Sequence, residues 1–333
     1  MSGDAPIFSA IIPSYNRAGY LAHAIQSALD QRVPGGGQVE VIVVDDESTD
    51  NTPEVAARFT GRIRYLRQPN RREGAARNTG AAVAHGEYFA FLDSDDFWLV
   101  GKLARDLARF EASDQPALVY SRGRNVDALD RPIGERRLAH PQGDVFWPLA
   151  REAFMPMSTV AVRAEAFRAC GGFVEDRDLS GTADWELWMR LAARWPVGFV
   201  DQTATCIRVH QRNMLGDSTY MERAMLAGVR HALADPVVAR RARGRDGFIR
   251  ASMYVTIALN AYMNGRRGRS WRWLARAAVS WPPLVADPRF VGAVGRALLG
   301  PAVMRRFRGP VSTTQNILGP WPPHGRASGR FGP

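Results

Sequence analysis

Cysteine is almost absent from this chain of 333 residues, which contains only Cys170 and Cys206. Two thiols with no Cys or His at zinc-finger spacing exclude a disulfide-stapled scaffold and a zinc finger. The sequence also lacks a basic start followed by a long apolar stretch, so no signal peptide is expected. No uncharged apolar run approaches the ~18–20 residues that span a bilayer. These absences predict a cytoplasmic protein.

Lysine and acidic residues are scarce in the C-terminal third. Residues 220–333 contain 19 arginines, no lysine and four acidic residues, a net charge of +15, whereas residues 1–219 carry −4 of the total of +11. This asymmetry points to a nucleic acid or an anionic membrane surface, or to a solvated basic face. No recognised nucleic-acid-binding motif is present, and the acidic first two thirds argue against that partner.

Two nucleotide-binding motifs are also missing. The chain has no G-x-x-x-x-G-K-[ST] segment and no G-x-G-x-x-G after its first apolar run. These absences exclude a P-loop and argue against a dinucleotide-binding dehydrogenase.

Short continuous apolar runs alternate with helix-like segments through the N-terminal half. Strands are predicted at 8–16, 39–46, 62–68, 87–93 and 116–121, and helices at 19–31, 48–59, 73–86 and 99–113. Continuous rather than alternating apolar runs indicate a parallel sheet covered by helices on both faces. In such sheets ligands bind beyond the carboxyl ends of the strands.

Polar side chains follow three of these strands, at 14–16, 45–46 and 93–96. The last group holds three carboxylates in four positions: Asp93, Asp95 and Asp96. Like charges this close repel each other and raise one another's pKa values. A cation held between them would relieve this repulsion, so the sequence predicts a cation site where the strand leaves the core.

Five segments in register resemble family 2 glycosyltransferases over roughly residues 7–215. They are "IIPSYNRAGYL", "VIVVDDESTDNT", "GAARNTGAAVAHGEYFAFLDSDDFWL", "GGF" and "DWELWMRL". The resemblance implies an α/β protein of the GT-A fold, with a mostly parallel sheet flanked by helices. It also implies an inverting, metal-dependent transfer of a sugar from a nucleotide-diphosphate donor, usually linked to UDP or dTDP, to a hydroxyl of a glycan or lipid-linked acceptor. Synthesis of a cell-surface polysaccharide or glycolipid is the expected setting.

The resemblance implies one set of nucleotide-binding residues: Pro13, Tyr15, Asn16, Asp46, Arg77 and Asp93. Tyr15 resembles the aromatic residue that stacks on the base. Asp46 resembles the carboxylate that accepts from a base N–H, and it is also a candidate N-cap for the following helix. Arg77 resembles the arginine that approaches the nucleotide or its diphosphate, although a solvated helix-face arginine would look the same.

Asp93 and Asp95 form the D-x-D motif of the family. By resemblance, Asp93 contacts the ribose and Asp95 binds Mn²⁺ or Mg²⁺, which stabilises the charge that develops on the departing diphosphate. An acidic turn that caps a helix is the alternative. His210 is a further candidate for the metal or the phosphate, and a structural histidine is equally consistent with the sequence.

Asp184 is the predicted catalytic base, because "DWELWMRL" resembles the E-D-W-x-L-W segment whose Asp takes the acceptor proton in inverting members. This chain departs from the family at the preceding position, where Ala183 replaces Glu. An N-cap or first-turn charge is the competing role for Asp184. Candidate acceptor contacts are Ser158, Thr159, Trp185 and Glu186. For Trp185, core packing is at least as consistent with the sequence as an acceptor contact.

We expect a catalytic domain at 1–215, a basic helical extension at 216–318 and a disordered tail at 319–333. Within the extension, 268–283 would place Trp271 and Trp281, with Leu274 and Ala278, on a stripe facing away from arginines. This pattern fits an interfacial helix on the inner face of the plasma membrane, and packing on the catalytic domain or in a homodimer stays open.

Two other functions are alternatives to a glycosyltransferase. A sugar-phosphate nucleotidyltransferase would show a Gly-rich loop with a basic residue near the first strand, and "IIPSYNRAGYL" is not such a loop. A nucleic-acid-binding protein is the weaker alternative, because it rests on the C-terminal charge alone.

Overall fold

Residues 6–135, 140–209 and 218–306 are described by the computed structural model, and within them nine strands join in one sheet. The strands are β1 (Phe8–Ser14), β2 (Val39–Asp45), β3 (Arg64–Arg67), β4 (Tyr88–Phe91), β5 (Phe97–Trp98), β6 (Leu118–Val126), β7 (Pro132–Glu135), β8 (Val160–Arg163) and β9 (Val197–Arg208). Their order is β3-β2-β1-β4-β8-β6-β9-β5, with β7 paired to β6.

Helices cover both faces of this sheet and continue beyond it. They are α1 (Ala18–Leu29), α2 (Thr52–Ala57), α3 (Arg72–Val83), α4 (Lys102–Phe110), α5 (Phe146–Arg151), α6 (Ala164–Ala169), α7 (Ala183–Ala192), α8 (Ser218–Ala234), α9 (Pro236–Ala242), α10 (Asp246–Met263), α11 (Arg267–Ser280) and α12 (Pro288–Arg306). No helix in the described ranges is long and apolar enough to cross a membrane.

The N-terminal half confirms the predicted alternation of strand and helix. β1 is the centre of a parallel unit, since β2 and β4 pair with its two edges and β3 pairs with β2. Every residue of β1 and β4 is buried, as expected for strands covered on both faces. Because side chains alternate along a strand, Phe8 and Ile12 join the hydrophobic cluster formed with α1, α2 and α4, whereas Ile11 joins the cluster on the opposite face.

The second half of the sheet departs from the parallel pattern. β8 runs antiparallel between β4 and β6, and the short β5 runs antiparallel to β9, while β6 and β9 are parallel. The strand predicted at 116–121 is β6, which continues to Val126 because β7 and β9 pair with its second half. These additions curl the sheet away from the parallel edge and leave the ends of β1, β2 and β4 facing one opening.

The helices after residue 217 share a hydrophobic cluster with the sheet. Phe91 of β4, Trp185 of α7, Met225 of α8 and Leu274 of α11 all belong to it. Arg151 adds two hydrogen bonds to Asp287, of 3.0 and 3.1 Å. The boundary expected between residues 215 and 216 and the tail at 319–333 lie outside the described residues.

The face of α11 that meets solvent is not the predicted one. Leu274 is buried in the core, whereas Trp271 is 38% exposed on the same side of the helix as Arg272 and Arg276. Val279, at 82% exposure, extends this side by one more turn. The helix buries the stripe through Trp273, Leu274 and Ala277 instead, so Trp271 and the arginines share one surface rather than opposing each other.

Candidate functional site

A cavity of about 370 Å³ lies at the carboxyl ends of β1, β2 and β4. The three polar strand ends therefore converge, as the sequence predicted. Six predicted site residues border the cavity: Pro13, Tyr15, Asp46, Arg77, Asp93 and Asp95. His210 lies outside the described residues. The cavity also has lining residues that the sequence analysis did not single out: Arg17, Asn70, Arg72, Glu73, Ser180 and Arg208.

Tyr15 and Asp46 lie on the side of the cavity formed by β1 and β2. The Tyr15 ring is 44% exposed, which leaves a face available for stacking. Asp46 is buried, and its Oδ1 accepts from Gln68 Nε2 (2.7 Å) and from the Arg71 N–H (2.9 Å), while its Oδ2 accepts from the Arg72 N–H (2.8 Å). A carboxylate has about four acceptor positions, so Oδ2 keeps one for a ligand. Asp46 thus holds the start of α3, not of α2 as the capping alternative supposed.

Asn16 does not border the cavity, but its hydrogen bonds fix the loops around the cavity. Its backbone has φ = 52°, its N–H donates to Ser48 Oγ (2.9 Å), and its Oδ1 accepts from the Thr49 N–H (2.8 Å). Asn adopts the left-handed region more readily than most residues. The side chain therefore ties the end of β1 to the loop after β2 and turns Tyr15 toward the opening.

Buried Arg77 and the partly exposed Asp93 form an ion pair that borders the cavity. Arg77 Nη2 lies 2.7 Å from Asp93 Oδ1, and the guanidinium carbon is 5.4 Å from the centre of the Phe173 ring. Burial raises the pKa of Asp93 and the neighbouring Asp95 raises it further, while the Arg77 charge lowers it. The Nε of Arg77 has no hydrogen-bond partner in the described ranges. The solvated reading of Arg77 is wrong, since it is 5% exposed.

Asp95 and Asp96 complete the acidic group. Arg17 Nε lies 3.3 Å from Asp95 Oδ2, and buried Asp96 accepts from Ser158 Oγ (2.6 Å) and the Arg208 N–H (2.8 Å). Burial and the adjacent Asp95 and Asp93 charges hold the pKa of Asp96 well above its usual value. The three carboxylates therefore repel one another, and a cation bound between them would relieve this repulsion.

The donor set at this acidic group suits a hard divalent cation. Among the described residues no three His, Cys, Asp or Glu side chains come together as a complete metal cage. Mg²⁺ characteristically binds one or two carboxylates together with substrate phosphates and waters. Asp95, which borders the cavity and is 20% exposed, fits that kind of shared site.

Arg208, at the end of β9, was missed by sequence reasoning. Its guanidinium donates to the backbone oxygen of Asp95 and to the carboxylate of Asp130, and it lies 4.5 Å from the centre of the Tyr20 ring. Together with the hydrogen bond from the Arg208 N–H to Asp96, these contacts hold residues 95–96 in place. The available signal was the segment "IRVHQRN" at 207–213, which resembles a family segment with Arg and His near the diphosphate and has Arg208 as its second residue.

Asp184 is the second residue of α7, close enough to the cavity to feel its charges. Burial raises its pKa to about 6, Asp93 and Glu73 add to the rise, and the Trp185 N–H and the Arg77 charge oppose it. The Trp185 N–H donates to Asp184 Oδ1 at 2.7 Å. A carboxylate with this pKa is mostly ionised at neutral pH yet basic enough to take a proton.

Glu73 fixes the loop that leads to Asp184. Its Oε1 accepts from Ser180 Oγ (2.7 Å) and from the Gly181 N–H (2.7 Å). Glu73 is the second residue of α3, which also carries Arg77. One helix thus positions both the arginine next to Asp93 and the approach to Asp184, a link that no local sequence pattern indicated.

The four predicted acceptor contacts are buried, at 3% exposure or less. Ser158 Oγ accepts from the Asp93 N–H (3.1 Å) while donating to Asp96, and Thr159 Oγ1 donates to the Pro156 oxygen. Trp185 Nε1 donates to the Leu149 oxygen (3.0 Å), and Glu186 pairs with Arg190 at 2.6 Å. None borders the cavity, because the acidic segment, the core and an internal ion pair engage them. We therefore leave them out of the acceptor site proposed below.

Sequence comparisons identify the same region. Residues 9–163 match the family model of glycosyl transferase family 2. An uncharacterized glycosyltransferase of Nostoc sp. is 36% identical over 138 residues, 40% of this chain and 42% of the relative. Chondroitin synthase of Escherichia coli is 26% identical over 216 residues, 62% of this chain and 30% of the relative. The chain thus matches less than half the length of either protein.

Solved structures share the fold at low sequence identity. TarS of S. aureus, residues 1–349 in complex with UDP-GlcNAc, superimposes with a TM-score of 0.55 at 15% identity, covering 82% of this chain and 89% of that one. The mannosyltransferase PcManGT of Pyrobaculum calidifontis, in complex with GDP-Man and Mn²⁺, gives 0.54 at 18%, covering 88% and 87%. The resemblance first noted in five sequence segments is confirmed: the chain has the GT-A fold, and its residues 9–163 match glycosyl transferase family 2.

Proposed function

We propose that this protein is a metal-dependent, inverting glycosyltransferase that moves a sugar from a nucleotide-diphosphate donor to a hydroxyl acceptor. The observation that carries the proposal is the position of Asp184. A carboxyl group with a pKa of about 6 interacts electrostatically with Arg77, Asp93 and Glu73, and these three residues border a cavity that also holds an exposed tyrosine and an acidic strand end. That arrangement supplies a base next to a site suited to a nucleotide and a cation.

The donor nucleotide would occupy the cavity from β2 toward β4. The Tyr15 ring would stack on the base, and Asp46 Oδ2 would accept a base N–H. Asp93 would accept from a ribose hydroxyl. Arg77, whose Nε–H has no partner among the described residues, would donate to the diphosphate. The two structural neighbours described above are named as complexes with UDP-GlcNAc and GDP-Man, which supports a nucleotide sugar as the ligand class.

Asp95 would hold the divalent cation, Mn²⁺ or Mg²⁺, between its carboxylate and the donor phosphates. When bound, such an ion stabilises the negative charge that develops on the departing diphosphate. Because Arg17 Nε lies 3.3 Å from Asp95 in the structure, that arginine would have to yield this oxygen or share it. Arg208 and Ser158 hold the backbone on either side of Asp95, so the carboxylate is already aimed at the cavity.

Asp184 would act as the general base. Its carboxylate takes the proton of the acceptor hydroxyl while that oxygen attacks the anomeric carbon, and the bond to the diphosphate oxygen breaks. A single displacement of this kind inverts the anomeric configuration. The Trp185 N–H on Oδ1 leaves Oδ2 as the proton acceptor, and Glu73 keeps the preceding loop in place.

A screen of nucleotide sugars tests this function directly. We expect one or more UDP-, dTDP- or GDP-linked sugars to raise the melting temperature with Mn²⁺ and much less without it. A ligand at one hundred times its Kd stabilises the fold by about 2.7 kcal/mol, which a thermal melt resolves. If no nucleotide sugar binds with Mn²⁺, the proposal fails. Conversion of a sugar phosphate and a nucleoside triphosphate to a nucleotide sugar would instead favour a nucleotidyltransferase.

The acceptor side of the proposal is a cell-surface polysaccharide or glycolipid made at an anionic membrane. Trp271, Arg272, Arg276 and Val279 form one exposed surface on α11, which we call the α11 surface. An exposed tryptophan and valine beside two arginines are typical of a surface that binds lipid headgroups, since the apolar side chains are then removed from water. Attachment there would keep the chain peripheral on the inner face of the plasma membrane.

Vesicle co-sedimentation tests the α11 surface. Each basic residue near an anionic surface contributes about 1 kcal/mol, so the double change Arg272→Ala/Arg276→Ala should weaken binding to phosphatidylserine vesicles about 30-fold. Binding should also weaken at high salt, since exposed charges are screened. Arg58→Ala/Arg62→Ala removes two exposed arginines near α2 and should change little. Equal sedimentation of all three proteins would assign the α11 surface to another partner or to solvent.

A further inference from the structure

Four arginines border the cavity, and only one of them lacks a partner among the described residues. Arg17 pairs with Asp95, Arg77 with Asp93, and Arg208 with Asp130. The guanidinium of Arg72 makes no hydrogen bond, ion pair or ring contact within the described ranges, while its side chain is exposed at the rim. Its charge is therefore available to a ligand, whereas the other three already neutralise carboxylates.

The backbone makes the presence of an arginine at this position unusual. Arg72 has φ = 74°, in the left-handed region where glycine is favoured and a long side chain is strained. The conformation is held by the Arg72 N–H bond to Asp46 Oδ2 (2.8 Å), which glycine would make equally well. An exposed side chain adds no core packing in return. Strained residues of this kind cluster at functional sites.

The carboxylates around Arg72 are already engaged. Glu73 accepts from Ser180 and Gly181. Glu175 pairs with Arg71 and accepts from Asn78 Nδ2, and Asp176 pairs with His231 at 2.8 Å.

A small cleft joins Arg72 to Ser180 and Ala183, on the side of the loop that leads to Asp184. Ala183 contributes only a methyl group there, so the start of α7 presents no carboxylate to Arg72 at this position. The cleft therefore ends at Ala183, one residue before the proposed base.

We propose that Arg72 is a specificity-determining residue that binds an oxyanion of the substrate at the rim of the cavity. This inference rests on the proposed transferase function. The favoured source is the acceptor, carrying a phosphate or carboxylate near its reactive hydroxyl, because Arg72 borders the cleft to Ser180 and Ala183. Arg17 and Arg77 lie instead at Asp95 and Asp93, where the donor diphosphate would sit. The donor diphosphate is the other possible source of the same chemistry.

Calorimetry with two kinds of probe separates these sources. The first arm measures UDP and GDP with Mn²⁺, and the second measures glycerol 1-phosphate against glycerol, in wild type, Arg72→Gly and Arg72→Lys. A bidentate bond from arginine to an oxyanion is specific to the guanidinium. We expect Arg72→Gly to weaken glycerol 1-phosphate binding tenfold or more, Arg72→Lys to fall between, and nucleotide affinity to change less than twofold.

A loss of tenfold or more in UDP or GDP affinity instead assigns Arg72 to the donor diphosphate and still supports an oxyanion site. The proposal is wrong if Arg72→Gly changes neither the affinity for glycerol 1-phosphate nor the affinity for UDP and GDP. It is also wrong if wild type does not prefer glycerol 1-phosphate over glycerol and Arg72→Gly leaves nucleotide affinity unchanged. Failure of wild type to bind any nucleotide would overturn the transferase proposal alone, since the glycerol 1-phosphate arm reports on Arg72 separately.

Stability measurements guard against a purely structural effect. Arg72→Gly should melt at or above the wild-type temperature, because glycine relieves the strained backbone. Gln115→Gly is the matched control, since Gln115 has φ = 40° and is exposed on the loop before β6. It should hold or raise the melting temperature in the same way and leave both binding arms unchanged. A clear drop in the melting temperature of Arg72→Gly would show that the side chain serves the fold instead.

Discussion

Replacing Asp184 with asparagine is expected to lower kcat by about 10²–10⁴-fold, the usual contribution of a general base. Asparagine keeps the shape of the side chain and can still accept from the Trp185 N–H through Oδ1, but it cannot take the acceptor proton. Nucleotide affinity should stay within about twofold, since Asp184 does not border the cavity. Single-turnover transfer and calorimetry of the nucleoside diphosphate measure the two effects separately.

The pH dependence of Asp184 gives the same prediction an independent readout. Its pKa is raised from 3.8 to about 6, so the folded state favours the protonated form. The stabilising contribution of the Asp184 carboxyl group, relative to asparagine, is therefore fully present below about pH 4. It is lost as the pH rises through about 6. Above pH 6 Asp184→Asn should melt at the higher temperature, and wild-type kcat/KM should rise through pH 6.

The control for Asp184 is Asp178→Asn, which removes an exposed carboxylate from the loop before α7. This variant should keep wild-type transfer and an unchanged melting curve from pH 4 to pH 8. A loss of less than tenfold in kcat for Asp184→Asn would move the base to another residue. Equal melting temperatures at pH 8 would show that the Asp184 carboxylate is not destabilised in the fold.

Asp95→Asn is expected to abolish the Mn²⁺-dependent part of nucleoside diphosphate binding. The carboxylate is the proposed protein ligand at the shared cation site, and an amide oxygen is a far weaker ligand for a divalent cation. The fold should survive, because the Asp95 charge raises the pKa values of Asp93 and Asp96 and its removal relieves both. Calorimetry of UDP or GDP with and without Mn²⁺ measures the change.

Asp114→Asn serves as the comparison for this experiment. Asp114 forms two hydrogen bonds of 2.7 Å with Arg109 on the protein surface, so the variant loses a carboxylate–arginine pair away from the cavity. Its Mn²⁺-dependent binding should equal that of wild type. If Asp95→Asn also binds nucleotide with an unchanged response to Mn²⁺, the D-x-D assignment is incorrect.

The strands of the parallel unit could be predicted because each is a continuous apolar run closed by polar residues. This pattern identifies β1, β2 and β4. Because the three strands are parallel, their carboxyl ends lie at the same edge of the sheet. β5 and β9 could not be predicted, since β5 has two residues and β9 mixes exposed and buried positions. Their pairing is decided by contacts across the sheet, which local sequence patterns do not encode.

The candidate site divides in a similar way. Residues at strand ends could be placed in the cavity from their positions alone, as Tyr15, Asp46 and Asp95 were. Glu73 and Arg208 could not, because they act across 107 and 112 residues, on Ser180 and Asp96 respectively. Arg72 is distinguished by its positive φ, and no sequence pattern predicts this backbone angle.

Helix α8 contacts the loop that leads to Asp184. Asp176 meets His231 at 2.8 Å, and Thr182 Oγ1 donates to the Ala224 oxygen at 2.8 Å. Both supporting residues follow the segment that matches the family, which ends at residue 163. Substitutions in α8 can therefore shift the proposed base Asp184 relative to the cavity without touching a proposed nucleotide contact. If Asp184 is the base, we expect changes in α8 to alter acceptor preference while nucleotide binding stays unchanged.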